Sequence, residues 1–148
     1  MIRRYDGKRV LGRLIYHRSQ RSFDVEPRPE RGVASLLIND IQIEMDDEGR
    51  LIYVWGLCPH ESWTRATLAP PSAKTGRLHY FGGEVVPGVS ERLNVSNRWG
   101  VINDISSCWM CIGDENAQGE GIEFAPGAVA VLKEEHLVAL WLRPEIRE

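Results

Sequence analysis

No apolar run in this chain approaches the ~20 residues that a membrane-spanning helix requires. The positively charged start, Met1-Ile2-Arg3-Arg4-Tyr5-Asp6, is followed by Lys8, Arg9 and Arg13 where a secretory leader would carry an apolar stretch. Neither insertion through a helix nor export is expected. Cysteine is scarce and odd in number, three in 148 residues. That excludes a small disulfide-stapled scaffold and fits a reducing cytoplasm. Catalytic signatures are missing too: there is no Gly-x-Ser-x-Gly elbow, no phosphate-binding glycine loop and no His-Glu-x-x-His pair. The hydrolase, nucleotide and metalloprotease chemistries that those motifs serve have no footing here. No fixed-period repeat and no low-complexity tract occurs, which removes solenoids and propellers.

What the chain does have is short runs of period two, separated by glycine, proline and acidic clusters, as strands on a core require. Ile41, Ile43 and Met45 alternate with Gln42 and Glu44. Asp46-Asp47-Glu48-Gly49-Arg50 then turns the chain into Leu51-Ile52-Tyr53-Val54-Trp55, where the glycine supplies the positive φ of a hairpin loop. Strands are expected at 10–17, 35–45, 51–57, 62–68, 77–81, 84–86, 90–96, 99–105, 107–112 and 122–124, with 90–96 and 99–105 forming a hairpin. Residues 19–32, holding Pro27 and Pro29 among charges, are read as an extended polar connection. Residues 128–142 are apolar on both faces and are read as a hairpin turning at Lys133–His136, with a helix as the alternative. The expected fold is all-β and mainly antiparallel, a sandwich or partly open barrel of roughly eight to eleven short strands with room for a short C-terminal helix. At 148 residues and 43% hydrophobic the chain is expected to form a single domain able to bury its own core.

Charge divides that domain in two. Residues 1–31 carry nine Lys or Arg against four Asp or Glu, and residues 32–148 carry nine against seventeen. A basic arm with its extended loop, 1–32, thus precedes an acidic β body, 33–148. Either the arm lies across the acidic face of its own domain or the two faces meet outside partners. The basic residues are widely spaced, with only Tyr5, Tyr16 and Phe23 among them, which argues against a nucleic-acid platform.

Cys58-Pro59-His60 and Cys108-Trp109-Met110-Cys111 together hold the ligand inventory of a Cys₃His zinc site. One residue between the first pair is too few, and Cys108 and Cys111 would point to opposite faces of a strand. Thiols carried on strands are therefore preferred, and no metal or cofactor is expected. A thiolate nucleophile would need a histidine brought up by the fold. Asp114, Asn116, Gln118 and Gly119 imitate half a calcium loop, but Ala125 stands where the bidentate glutamate belongs.

Five tryptophans, at 55, 63, 99, 109 and 141, serve as core fillers or as binding anchors. Trp63 follows loop residues and is the one expected on a rim. The candidate binding residues are Asp46, Asp47 and Glu48 at the hairpin tip, His60 and Trp63, and Asp114, Glu115 and Glu120 in the polar loop. The expected function is non-catalytic recognition of another macromolecule, a protein with a basic surface, in the manner of an inhibitor or immunity-type protein. Self-association is compatible with it. The competing expectation is a small-ligand-binding or hydrolytic β-barrel with His60, His79 or a carboxylate in an apolar pocket.

Overall fold

The computed structural model describes residues 1–29 and 31–148. The alternation at 41–45 forms β5 (Ile41–Met45), whose odd positions are buried. It returns as β6 (Leu51–Leu57) through a loop in which Asp46 Oδ1 accepts the backbone N–H groups of Glu48 and Arg50, both at 2.9 Å. Gly49 takes a φ of 85° there. The expected strand 35–45 is divided. Asn39, at a φ of 55°, turns β4 (Ala34–Ile38) back onto β5 with Ile38 opposite Ile41, a conformation asparagine tolerates better than most residues.

The first sheet runs β10 (Ser90–Arg92), β4, β5, β6, β3 (Ser22–Glu26), β2 (Arg13–His17), β16 (Glu145–Arg147). The second runs β7 (Thr64–Arg65), β11 (Val101–Asn103), β12 (Met110–Gly113), β15 (His136–Leu142), β14 (Ala128–Lys133), β13 (Glu120–Ala125), β8 (Ala73–Thr75). A ribbon of β1 (Ile2–Tyr5) and β9 (Arg77–Tyr80) completes the set. The interior of each sheet is antiparallel, whereas each outermost strand is two or three residues long and joins in parallel. Such short edges give another chain little backbone to pair with.

One hydrophobic cluster draws on both sheets, with Tyr16, Phe23, Leu36, Ile43 and Val54 from the first and Met110, Ile112, Ile122, Leu140 and Leu142 from the second. The architecture is therefore an all-β sandwich whose sheets do not close into a barrel. The opposite pleat of the second sheet carries a second cluster of Cys111, Val129, Val131, Ala139 and Trp141. This face is covered in part by Trp109 and Ala117 and in part by the segment joining β7 to β8. Those two strands lie at opposite edges of the sheet, about 29 Å apart at the usual strand spacing were the sheet flat. Residues 66–72 bridge them nearly fully extended, since the chain from 65 to 73 reaches only about 26–29 Å. Pro70-Pro71 suits such a conformation, and Leu68 is the buried member that joins the second cluster.

Several expectations are corrected. Sixteen strands occur among the described residues instead of eight to eleven, because β1, β3, β8 and β16 fall outside the expected strands and the segment 35–45 holds two. The segment 19–32 contains β3, whose Phe23 and Val25 point into the core. The strand expected at 62–68 is a 3-10 turn at His60–Ser62 followed by the two-residue β7. No strand forms at 84–86. Residues 90–96 and 99–105 do not make a hairpin, for β10 pairs with β4 in one sheet and β11 with β12 and β7 in the other. Residues 128–142 form the hairpin, with Glu134 and Glu135 at φ of 51° and 65°, the two positive values of a type I′ turn. The short C-terminal helix is not formed, and β16 occupies that end. No helix among the described residues is long and apolar enough to cross a membrane.

Candidate functional site

At one side of the sandwich the outermost strands β16 and β7 help to wall a pocket of about 280 Å³. Its floor is organised from β2. The buried Tyr16 hydroxyl donates to the Cys58 carbonyl at 2.6 Å and lies 3.4 Å from His60 Nδ1. The Tyr16 ring packs 4.7 Å from that of Trp63, whose Nε1 donates to Cys58 Sγ at 3.3 Å. Pro59 opens the 3-10 turn that presents His60, and the Trp63 N–H closes it onto the His60 carbonyl at 3.2 Å. Arg21 pins the turn from outside through Glu61. Burial pushes the Cys58 thiol up to about 11 and the Tyr16 phenol up to about 12, so both are protonated at neutral pH and act as packing and hydrogen-bonding groups.

Donors line this pocket. Arg18 and Arg65 supply guanidinium groups, His60 an imidazole and Asn103 a carboxamide, while Ile105 and Ile146 add exposed apolar surface and no carboxylate contributes. A second, more open lobe of about 610 Å³ shares Cys108 and Pro144 with the first. It is lined by Arg13, Trp109, Arg143 and Glu145 among others. The Arg143 guanidinium lies 5.8 Å from the Trp109 ring centroid, and Trp109 meets Trp141 edge-on at 6.3 Å. The two lobes make one groove.

The hinge of the groove is the loop between β11 and β12, and Asp104 builds it. Its Oδ1 accepts the Ser106 N–H at 3.0 Å and the Ser106 hydroxyl at 2.7 Å. Its Oδ2 accepts the Leu68 N–H at 2.9 Å, and its carbonyl accepts the Cys108 N–H at 2.9 Å. These bonds, the backbone N–H of Leu68 first, hold the carboxyl well below the usual carboxylate range. They also impose a φ of 66° on Cys108, which is exposed where the lobes meet.

Of the residues singled out in sequence, His60 and Trp63 stand in the first lobe. The acidic ones lie elsewhere. Asp46 is engaged in its own turn, with Asp47 and Glu48 exposed at the tip between β5 and β6. Asp114 is exposed and accepts the Asn116 N–H at 2.9 Å, and Glu115 is half-buried. Glu120 pairs with Arg4 at 2.7 Å. The arm crosses the body's own carboxylates, since Arg3 also pairs with Glu135 at 2.6 Å and Arg9 with Glu123 at 2.9 Å. His79 lies on β9 against Tyr5 and lines neither lobe.

Cys58, His60, Cys108 and Cys111 do not converge, for Cys58 belongs to the main core and Cys111 to the cluster on the far face of the second sheet. Among the described residues no three His, Cys, Asp or Glu side chains are grouped to hold a metal. The expectation that Cys108 sits on a strand is corrected, because its backbone turns there before β12 begins. Arg18, Arg65, Asn103, Arg143 and Trp109 escaped the sequence reading. For the loop itself a signal existed, since Asp104-Ile105-Ser106-Ser107 is a side-chain-capped turn composition. No protein-family model matches the chain, and no curated protein or solved structure matches it either.

Proposed function

We propose that the protein is a non-catalytic recognition domain that binds another protein, and that the two-lobed groove is its binding face. The observation that carries this reading is the junction at Cys108 and Pro144, which joins a donor-lined pocket to a second lobe presenting Trp109 and Arg143. Tryptophan and arginine are the residues most enriched at binding hot spots, and the groove presents Trp63, Trp109, Arg65 and Arg143 together. The first lobe, at about 280 Å³, falls just short of the ~300–1,000 Å³ typical of small-ligand sites. The second is larger but open. That favours a chain laid along the surface over a small molecule enclosed within it.

The acidic tips are the second candidate face. Asp47 and Glu48 are exposed and have no basic partner among the described residues, so a partner with a basic surface would be steered toward them. They and Asp114 occupy loops of different sheets, and Asp46 and Glu120 are already engaged. Masking of a partner's surface, as an inhibitor or immunity-type protein performs it, is the form of recognition that a groove presenting arginine and tryptophan side chains serves. A reducing cytoplasm suits the exposed Cys108 thiol.

Selection of binders from an unbiased displayed-peptide library tests the groove. Binders are expected to lose affinity when Trp63 or Trp109 is changed to Ala and to keep it when Asp47 and Glu48 are changed to Lys. The opposite pattern would move the binding face to the hairpin tip.

A further inference from the structure

The charge of the groove runs against the charge of the chain. Acidic residues outnumber basic ones 21 to 18, yet the first lobe is lined by Arg18, Arg65, His60 and Asn103 with no carboxylate. Arg3, Arg4 and Arg9 of the N-terminal arm are spent on carboxylates of their own molecule. Arg65 and Arg143 have no such partner among the described residues, and Arg18 has only the exposed Glu148 at 3.7 Å. Arg143 lies 5.8 Å from the Trp109 ring centroid, within reach of a cation–π contact that orients the guanidinium without neutralising it.

We infer that the groove takes an acidic protein segment in extended conformation, its carboxylates meeting Arg65 and Arg18 in the first lobe and Arg143 in the second. This rests on the groove being the binding face. Extended conformation follows from the two linked lobes, because a segment whose carboxylates reach Arg65 and Arg18 in the first and Arg143 in the second must run along the surface past Cys108 and Pro144, held by side chains more than by the short backbone edges of β16 and β7. Ile105 and Ile146 stand exposed at 59% and 47% in the same lobe as Arg18 and Arg65. Successive side chains of an extended segment point to opposite sides, so a segment alternating acidic and aliphatic residues turns all of its carboxylates to one side, where Arg18, Arg65 and Arg143 can meet them. A nucleic acid fits less well: of the groove's five arginines Arg9 and Arg13 are paired with Glu123 and Glu145, and the remaining cations and isolated indoles offer neither a phosphate track nor a stacking platform.

The test is fluorescence anisotropy with a labelled peptide of alternating Glu and Val, beside versions carrying Gln or Lys at the Glu positions, inorganic phosphate as competitor and an oligothymidylate of similar length. Amide chemical shifts map the site in parallel. The Glu-Val peptide is expected to bind about tenfold more tightly than the Gln version, to weaken as salt rises, and to shift amides of 60–65, 103–108 and 143–146. Arg65→Glu and Arg143→Glu, both exposed changes whose folding is checked by circular dichroism, should each weaken it about fivefold or more. Equal binding of the Gln or Lys peptide in the groove would overturn the acidic-segment inference and leave the groove standing. Shifts confined to other surfaces, or no binding by any peptide, would overturn both. Tighter binding of the oligothymidylate, or full displacement by millimolar phosphate, would also overturn it by assigning the cations to a phosphate ligand.

Discussion

The carboxylate of Asp104 accepts the backbone N–H of Leu68 at 2.9 Å across 36 positions of the chain, and with the Ala66 N–H on the Asn103 carbonyl at 3.2 Å it fastens the strap over the outer face of the second sheet. Leu68 is otherwise flanked by residues with exposed side chains. Asp104→Ala should therefore lower the thermal midpoint and accelerate amide exchange at Leu68 by at least about tenfold, with smaller changes at β4 and β5. Unchanged protection at Leu68 would show that the strap is held without the Asp104 bond.

Asp104 also sets an acid limb. Its native carboxyl lies well below the ~3.9 of an unfolded aspartate, so the folded state prefers the ionised form. The stabilisation is present above about pH 4 and is lost as pH falls below it toward the native value. Asp104→Asn, compared with wild type in urea titrations at pH 7 and pH 3, should lose more stability at the higher pH. Equal losses at both would refute the assignment.

Leu68→Ala removes the side chain that closes the second cluster and should cost about 2–3 kcal/mol by denaturant unfolding. The thiols give an independent readout. Native protein should show one fast-reacting thiol, the exposed Cys108, because Cys58 and Cys111 are buried and pushed up to about 11 and about 12. In the Leu68→Ala variant Cys111 should become the second to react. If it stayed as slow as Cys58, the strap would not be what shields it.

Tyr16→Phe should cost about 1–2 kcal/mol, since the Cys58 carbonyl loses a buried donor. The same variant should weaken groove ligands by loosening the turn that carries His60. Burial raises the Tyr16 phenol to about 12 from an unfolded value near ~10. Its contribution is therefore whole below about pH 10 and lost as pH rises toward 12. Spectrophotometric titration should find a tyrosine in wild type, absent from the variant, that ionises only near the alkaline unfolding transition.

Glu134 is exposed, carries no ion pair among the described residues and holds a φ of 51°. Asparagine takes that conformation more readily, so Glu134→Asn should stabilise the protein by about 0.5–1 kcal/mol. Glu135 is left in place to keep its pairing with Arg3. A destabilised variant would indicate that the turn's strain is not relieved there.

What the amino-acid order determined by itself is the local part of this protein. Ile41, Ile43 and Met45 fall on one face because a strand repeats every two residues, Asp46 to Gly49 has turn composition, and the bifacial apolar runs at 129–131 and 137–141 favour the middle of a sheet over the alternative helix. Each is settled within about ten residues. The partners are not. That β10 lies parallel to β4, that β7 and β8 take opposite edges of one sheet, and that residues 66–72 must then cross its face depend on contacts between distant segments. Pairs of two or three residues carry no periodicity from which to read them. The groove belongs to the same class. His60 and Trp63 stood out because a loop precedes them, whereas Arg18, Asn103 and Arg143 resemble any other polar residue until β2, β11 and the end of β15 are set side by side. The N-terminal arm shows the reason most directly. Its positive charge is plain in the sequence, but only the packing of β1 and β9 beside the second sheet decides that Arg3, Arg4 and Arg9 meet the protein's own carboxylates and leave Arg65 and Arg143 unpaired.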